Sequence, residues 1–153
     1  MKEDLVFEID GLDKLSEDLR KAEHQYPAIT RKYVQKAGSA FRKDVSEQTR
    51  AVTRTRSGRL AKGYRVSVQL QSGSLHAYEA QVRGGMGKAH HFHLVEHGHE
   101  GKVPDRSGQM HNIGRVAGRH MMERTRNNWN TSGKLIPFAQ KALDEALKQG
   151  GLL

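Results

Sequence analysis

Apolar side chains recur at three- and four-residue spacing through the first third of the chain, and this pattern constrains the fold more than any other feature. Leu12, Leu15, Leu19, Ala22 and Tyr26 form one stripe; Ile29, Tyr33, Ala37, Phe41, Val45 and Val52 form a second. Residues three and four apart share a helical face, so each stripe reads as an amphipathic helix with one side to bury. Pro27 lies between them and lacks a backbone donor, which predicts two helices, over 12–26 and 28–53. Arg31, Lys32, Lys36, Arg42, Lys43 and Arg50 fill the other faces of the second. Such residues ordinarily make a solvated face; contact with phosphates is the alternative.

These helical faces need a partner. Tyr64, Val66, Val68 and Leu70 alternate with polar residues, and Tyr78, Ala80 and Val82 alternate again after the turn Gln71-Ser72-Gly73-Ser74. That is the pattern of an antiparallel hairpin with one face buried. A short strand is expected at 5–9, and another at Arg115–Ala117. A short ordered piece is expected from Phe92 to Glu96, a helix from Met121 to Trp129, and a last helix over 134–148 with Phe138, Ala142 and Leu143 on its apolar side. Phe41 and Phe138 are the expected core aromatics. Residues 98–114 show no periodicity and read as a long mobile loop. The expected fold is α+β: a small antiparallel sheet packed with a long amphipathic helix and a C-terminal helix, in one domain spanning 1–153.

Composition narrows the function. Hydrophobic residues are only 35% of the 153, so the core is small for the length, as in a protein that completes its fold in an oligomer. The formal charge of +9 attracts phosphate backbones or acidic surfaces, so a basic nucleic-acid-associated protein is one candidate. No stacking motif or recognition helix accompanies the charge, and the basic residues are spread along the chain. The absence of cysteine removes disulfides and thiolate chemistry. The acidic start Met1-Lys2-Glu3-Asp4 is unlike a signal peptide, and no apolar run is long enough to span a membrane, so synthesis in the cytoplasm is expected.

Histidines are the residues most able to carry chemistry, and six of the nine, His90, His91, His93, His97, His99 and His111, lie within one stretch. His93-Leu94-Val95-Glu96-His97 fits the H-x-x-E-H pattern in which two imidazoles on one helical face hold zinc and the glutamate acts as base. Gly98 ends any such helix at once, and no downstream glutamate offers a third ligand. A small zinc hydrolase built on His93, Glu96 and His97 is therefore a minor alternative, and no cofactor is expected. Gly84-Gly85-Met86-Gly87-Lys88 lacks P-loop spacing, and no serine sits in G-x-S-x-G.

The order of several short motifs carries more. Ser57-Gly58-Arg59-Leu60 follows the long basic helix, Val95-Glu96-His97-Gly98-His99 follows the hairpin, and Pro137-Phe138 with Ala142-Leu143 closes the chain. Over residues 12–148 this order resembles the small neck and tail-completion proteins of long-tailed bacteriophages. There the three motifs commonly read Thr-Gly-x-Leu, Val-Glu-aromatic-Gly-Thr and Pro-Phe with Ala-Leu. Ser57, His97 and His99 depart from that pattern. The resemblance implies a non-enzymatic virion protein forming a ring, sixfold in such assemblies, that caps the tail tube or lies between tube and head. It implies as partners further copies of the chain, the tail tube protein and a head-closure or connector protein, with non-specific contact to passing DNA. On this reading the connector Arg54, Arg56 and Arg59, together with Lys88, His93, Glu96, His97 and Arg106 of the 84–114 region, are the expected interface residues.

Overall fold

The computed structural model describes residues 12–53, 58–74 and 77–153. The strand expected at 5–9 lies outside them. The fold is α+β, organised along one helix, α1 (Leu12–Thr53). At 1.5 Å per residue its 42 residues extend about 60 Å.

The sequence pattern predicted a break at Pro27; instead the helix runs through it. Proline removes one intrahelical hydrogen bond. Packing on both sides holds the helix regardless: Ala22 touches the last helix on one side of Pro27, and Ile29 is buried against it on the other. A second correction concerns the first stripe. Leu15, Leu19 and Tyr26 were expected in the core but are exposed.

The N-terminal half of α1 packs against α5 (Ile136–Gly150), which runs antiparallel to it. Small residues set the approach: a Cβ on Gly150 would lie 2.8 Å from that of Ala22. Ile29, Ala142 and Ala146 form the buried seam, with Tyr33 packed on it. Glu145 accepts hydrogen bonds from Lys32 Nζ at 2.6 Å and from the Tyr33 hydroxyl at 2.8 Å. These two donors hold the Glu145 carboxyl below its ordinary range.

The C-terminal half of α1 carries the first hairpin and two further helices. The hairpin of β1 (Arg65–Leu70) and β2 (Tyr78–Arg83) lies on it in the predicted register, with Val66 opposite Val82 and Val68 opposite Ala80. Gly38 admits this sheet closely, since a Cβ there would meet Ala80 and Val66 within 2.9 Å. The short α2 (Arg59–Lys62) buries Leu60 and Ala61. Thr49 and Tyr64, both buried, share a hydrogen bond of 2.7 Å. Burial pushes the Tyr64 phenol up to about 12; the Thr49 bond opposes this and the nearby Glu96 adds to it.

α4 (Met121–Ser132) crosses the same half, with Trp129 in its last turn. The indole, 4% exposed, donates to Asp44 Oδ2 at 2.8 Å. Phe41 meets it edge-on at 5.3 Å and Phe138 stacks at 6.4 Å. Trp129 and Tyr64 are thus the buried aromatics among the described residues; Phe41 and Phe138, expected in that role, are half-buried flanks.

The largest correction falls on the supposed mobile loop at 98–114. β3 (Gly98–Pro104) and β4 (Met110–Ala117) form a second antiparallel hairpin, which incorporates the expected strand at Arg115–Ala117. The single small sheet anticipated from the sequence is therefore two two-stranded sheets.

Candidate assembly interface

The second hairpin begins where α3 (Phe92–His97) ends, and Glu96 fixes that junction. Glu96 is only 4% exposed. Its Oε2 accepts from the Met121 amide at 2.8 Å and its Oε1 from the Met122 amide at 2.9 Å, with Glu123 N more distant at 3.4 Å. These are the orphan donors of the first turn of α4, the positive end of a helix dipole. The residue in the local N-cap position, His120, has left-handed backbone angles and provides no cap from its side chain. A carboxylate 25 residues upstream in sequence performs that task.

Two glycines let the chains cross. Gly98 has φ +80°, and a Cβ there would lie 2.4 Å from the Val116 carbonyl oxygen. A Cβ on Gly118 would lie 2.4 Å from the Glu96 carbonyl oxygen. Arg119 N and His120 N donate to the Val95 and Glu96 carbonyls at 2.8 and 3.1 Å, closing the crossing. Val95-Glu96-His97-Gly98 is therefore a structural lock in this chain: it anchors the base of the hairpin to α3 and α4.

Beyond the base the hairpin has little support. Among the described residues it packs appreciably only on α3, through β3. All eight residues of β4 are exposed. Val103, Met110, Ile113 and Val116 are all exposed on it, Ile113 by 63%. A bulge between Gly101 and Lys102 leaves Ile113 lying across Gly101, which it covers. Gly108, at φ +84°, completes the turn at the tip. Asp105 ties that turn: its Oδ1 accepts from Ser107 N and Oγ and from Gln109 N, and Oδ2 pairs with His111 Nε2 at 2.8 Å. The Ser107 hydroxyl and His111 together draw the Asp105 carboxyl down to about 2.

A second apolar surface lies elsewhere on the chain. Two adjoining clefts, of about 370 and 260 Å³, share Val34, Ala37 and Leu135. Phe41, Ala80, Val82 and Met122 extend the first; Tyr26, Phe138 and Leu143 extend the second. Exposed Leu135, Ile136 and Leu143 carry the apolar character to the rim.

The predicted interface residues divide accordingly. Arg54 and Arg56 lie outside the described residues. Arg59 and Lys88 are exposed on the body, and Arg106 is exposed at the hairpin tip. His93 is exposed and near the His90 carbonyl oxygen at 3.2 Å; His97 is exposed at the end of α3. Glu96 is a correction on two counts. It is buried within the chain, so it offers no contact surface, and its carboxylate oxygens are directed at α4, away from a zinc role beside His93 and His97. Among the described residues no three His, Asp or Glu side chains are grouped to hold a metal ion. The sequence reading missed Val103, Met110, Ile113 and Val116. The available signal was Asp105-Arg106-Ser107-Gly108, a turn sequence between Val103 and Met110.

No helix among the described residues is long and apolar enough to cross a membrane. Comparison with family models, curated proteins and solved structures gives no match for this chain.

Proposed function

We propose that the chain is a structural subunit of a long-tailed bacteriophage virion. It forms a ring, sixfold in such assemblies, at the tail-tube end or the head–tail junction, and it completes the tail and joins it to the head. Its work is recognition without catalysis. Its partners are further copies of itself, the tail tube protein and a head-closure protein, and it is made in the host cytoplasm.

The observation that carries this reading is the β3–β4 hairpin. A two-stranded hairpin is at best marginally stable in water, and this one exposes both edges and four large apolar side chains. Such an element is explained if another surface covers it. The occupant we assign is the apolar groove between α1, α4 and α5 of the next copy. Hairpin and groove are different patches of one chain, so their contact is heterologous, the kind that closes into a ring when the rotation permits. The order of the three sequence motifs supports the same assignment.

Deleting the gene from its phage and imaging the lysate tests the function. Filled heads beside unjoined or overlong tails are expected; normal infectious virions would end the structural reading. Complementation with Ile113→Asp tests the hairpin. The variant protomer should melt as the wild type does, because Ile113 is 63% exposed, yet fail to restore infectivity. Full rescue would show that the hairpin is not the joining element.

A further inference from the structure

Five basic residues that are dispersed in the sequence meet in the fold. On the N-terminal half of α1 three other basic residues are occupied within the chain, Lys21 with Glu17, Lys32 with Glu145 and Lys36 over the Tyr33 ring at 4.7 Å, while the exposed Arg20 and Arg31 stand apart from the cluster described next. That cluster forms on the C-terminal half. Arg42, Lys43 and Arg50 of α1 meet Lys62 and Arg65 around one shallow cleft of about 310 Å³. Two contacts bring these elements together: Ser46 Oγ donates to the Ala61 carbonyl at 2.8 Å, and Thr49 bonds the Tyr64 hydroxyl. All five cations are exposed, and among the described residues none is in an ion pair. Glu47 is the one carboxylate on the lining.

Five like charges around one cleft repel one another unless an anion is supplied from outside. We infer that this cleft binds the phosphate backbone of double-stranded nucleic acid, without regard to sequence. A single strand would be held by bases stacked on exposed aromatics, but Tyr64, the lining aromatic, is buried. A protein partner would require an apolar centre to the patch, and the apolar residue on the lining, Ala61, is buried as well. Backbone cations alone suit a duplex, whose phosphates recur along a rigid rod. That the duplex is the genome passing through the neck rests on the proposed ring; the phosphate chemistry does not.

The test is fluorescence anisotropy of the full chain with a labelled DNA duplex of about 30 base pairs, over roughly 50 to 200 mM salt. Five phosphate contacts predict a slope near −4.5 for log affinity against log salt, about −0.9 per contact. The triple variant Arg42→Gln/Lys43→Gln/Arg50→Gln should flatten the slope by about 2.7 and weaken binding about tenfold or more at the lowest salt. A control triple, Arg20→Gln/Arg31→Gln/Lys148→Gln, removes the same charge from exposed positions elsewhere and should do far less. A scrambled duplex should bind equally. Equal loss in both triples would reduce the effect to net charge and overturn the site. Absence of binding at low salt, tighter binding of single strands, or equally effective competition by polyglutamate would overturn it as well. Single glutamine variants, each expected to flatten the slope by about 0.9, keep the test decisive if the triple misfolds. Loss of DNA binding leaves the deletion phenotype untouched, so the two readings fail separately.

Discussion

Replacing Glu96 by glutamine changes one atom and should remove much of what holds α3, the second hairpin and α4 together. In the native chain the carboxylate accepts two short hydrogen bonds, from Met121 N at 2.8 Å and Met122 N at 2.9 Å. Glutamine retains one carbonyl oxygen for one amide and turns an NH₂ group toward the other, donor against donor. An orphaned buried donor costs about 1–3 kcal/mol. Loss of the charge at the helix N-terminus removes up to ~2 kcal/mol more in a buried setting. The sum is about 3 kcal/mol for Glu96→Gln. Alanine orphans both donors and leaves a void, so Glu96→Ala should lose about 4–5 kcal/mol.

Urea unfolding followed by far-ultraviolet circular dichroism at fixed protein concentration measures this directly. For a domain of this size about 3 kcal/mol corresponds to a fall in Tm of about 6–12 °C. His93→Ala, an exposed neighbour, should change stability by less than about 0.5 kcal/mol. The reasoning is refuted if Glu96→Gln and Glu96→Ala both unfold with the wild type. A glutamate serving as a zinc-bound base would behave in that way, with glutamine abolishing hydrolysis and sparing the fold.

Three further outcomes are expected. Gly98→Ala forces a Cβ to within 2.4 Å of a backbone oxygen at φ +80°, so a loss of about 3 kcal/mol or more should appear as a lower urea midpoint; a wild-type midpoint would mean the crossing is looser than described. Trp129→Ala should destabilise by about 3–5 kcal/mol, and Phe41→Ala by clearly less because Phe41 is only half-buried; the reverse ranking in the same assay would misplace the core. Asp105 has its folded pKa depressed to about 2 from the ordinary 3.8, so its contribution to the hairpin tip is complete above the unfolded value and is lost as pH falls from about 4 through about 2. Carboxyl carbon shifts of Asp105 should titrate in that window together with the Ser107 and Gln109 amide signals, and an ordinary carboxylate midpoint would contradict the turn geometry.

The sequence was readable where one physical rule dominated. The second stripe of α1, the first hairpin and α5 each keep a regular period on their packed face and lie close to their predicted positions, whereas the equally regular first stripe of α1 leaves Leu15, Leu19 and Tyr26 exposed. Pro27 misled because local propensity is a weak influence once both flanking turns are packed. The second hairpin was hidden for a different reason. Its strands bury almost nothing among the described residues, so there is no core face to impose alternation. Its glycines and Pro104, which ordinarily mark loops, serve here as a close crossing, a bulge and a strand end. The same logic applies to Glu96. As sequence, His93-x-x-Glu96-His97 resembles a metal motif; only the arrival of Met121 N, a long-range contact, shows what the carboxylate does. The basic cleft was likewise beyond sequence reasoning, because Arg42 and Arg65 are brought together by Thr49 and Tyr64, a tertiary hydrogen bond without a periodic signature. What escapes the sequence is therefore of one kind: positions whose role is set by a distant partner. Among the described residues the second hairpin meets little beyond α3, and this is the physical reason the proposed function places its partner in a second copy.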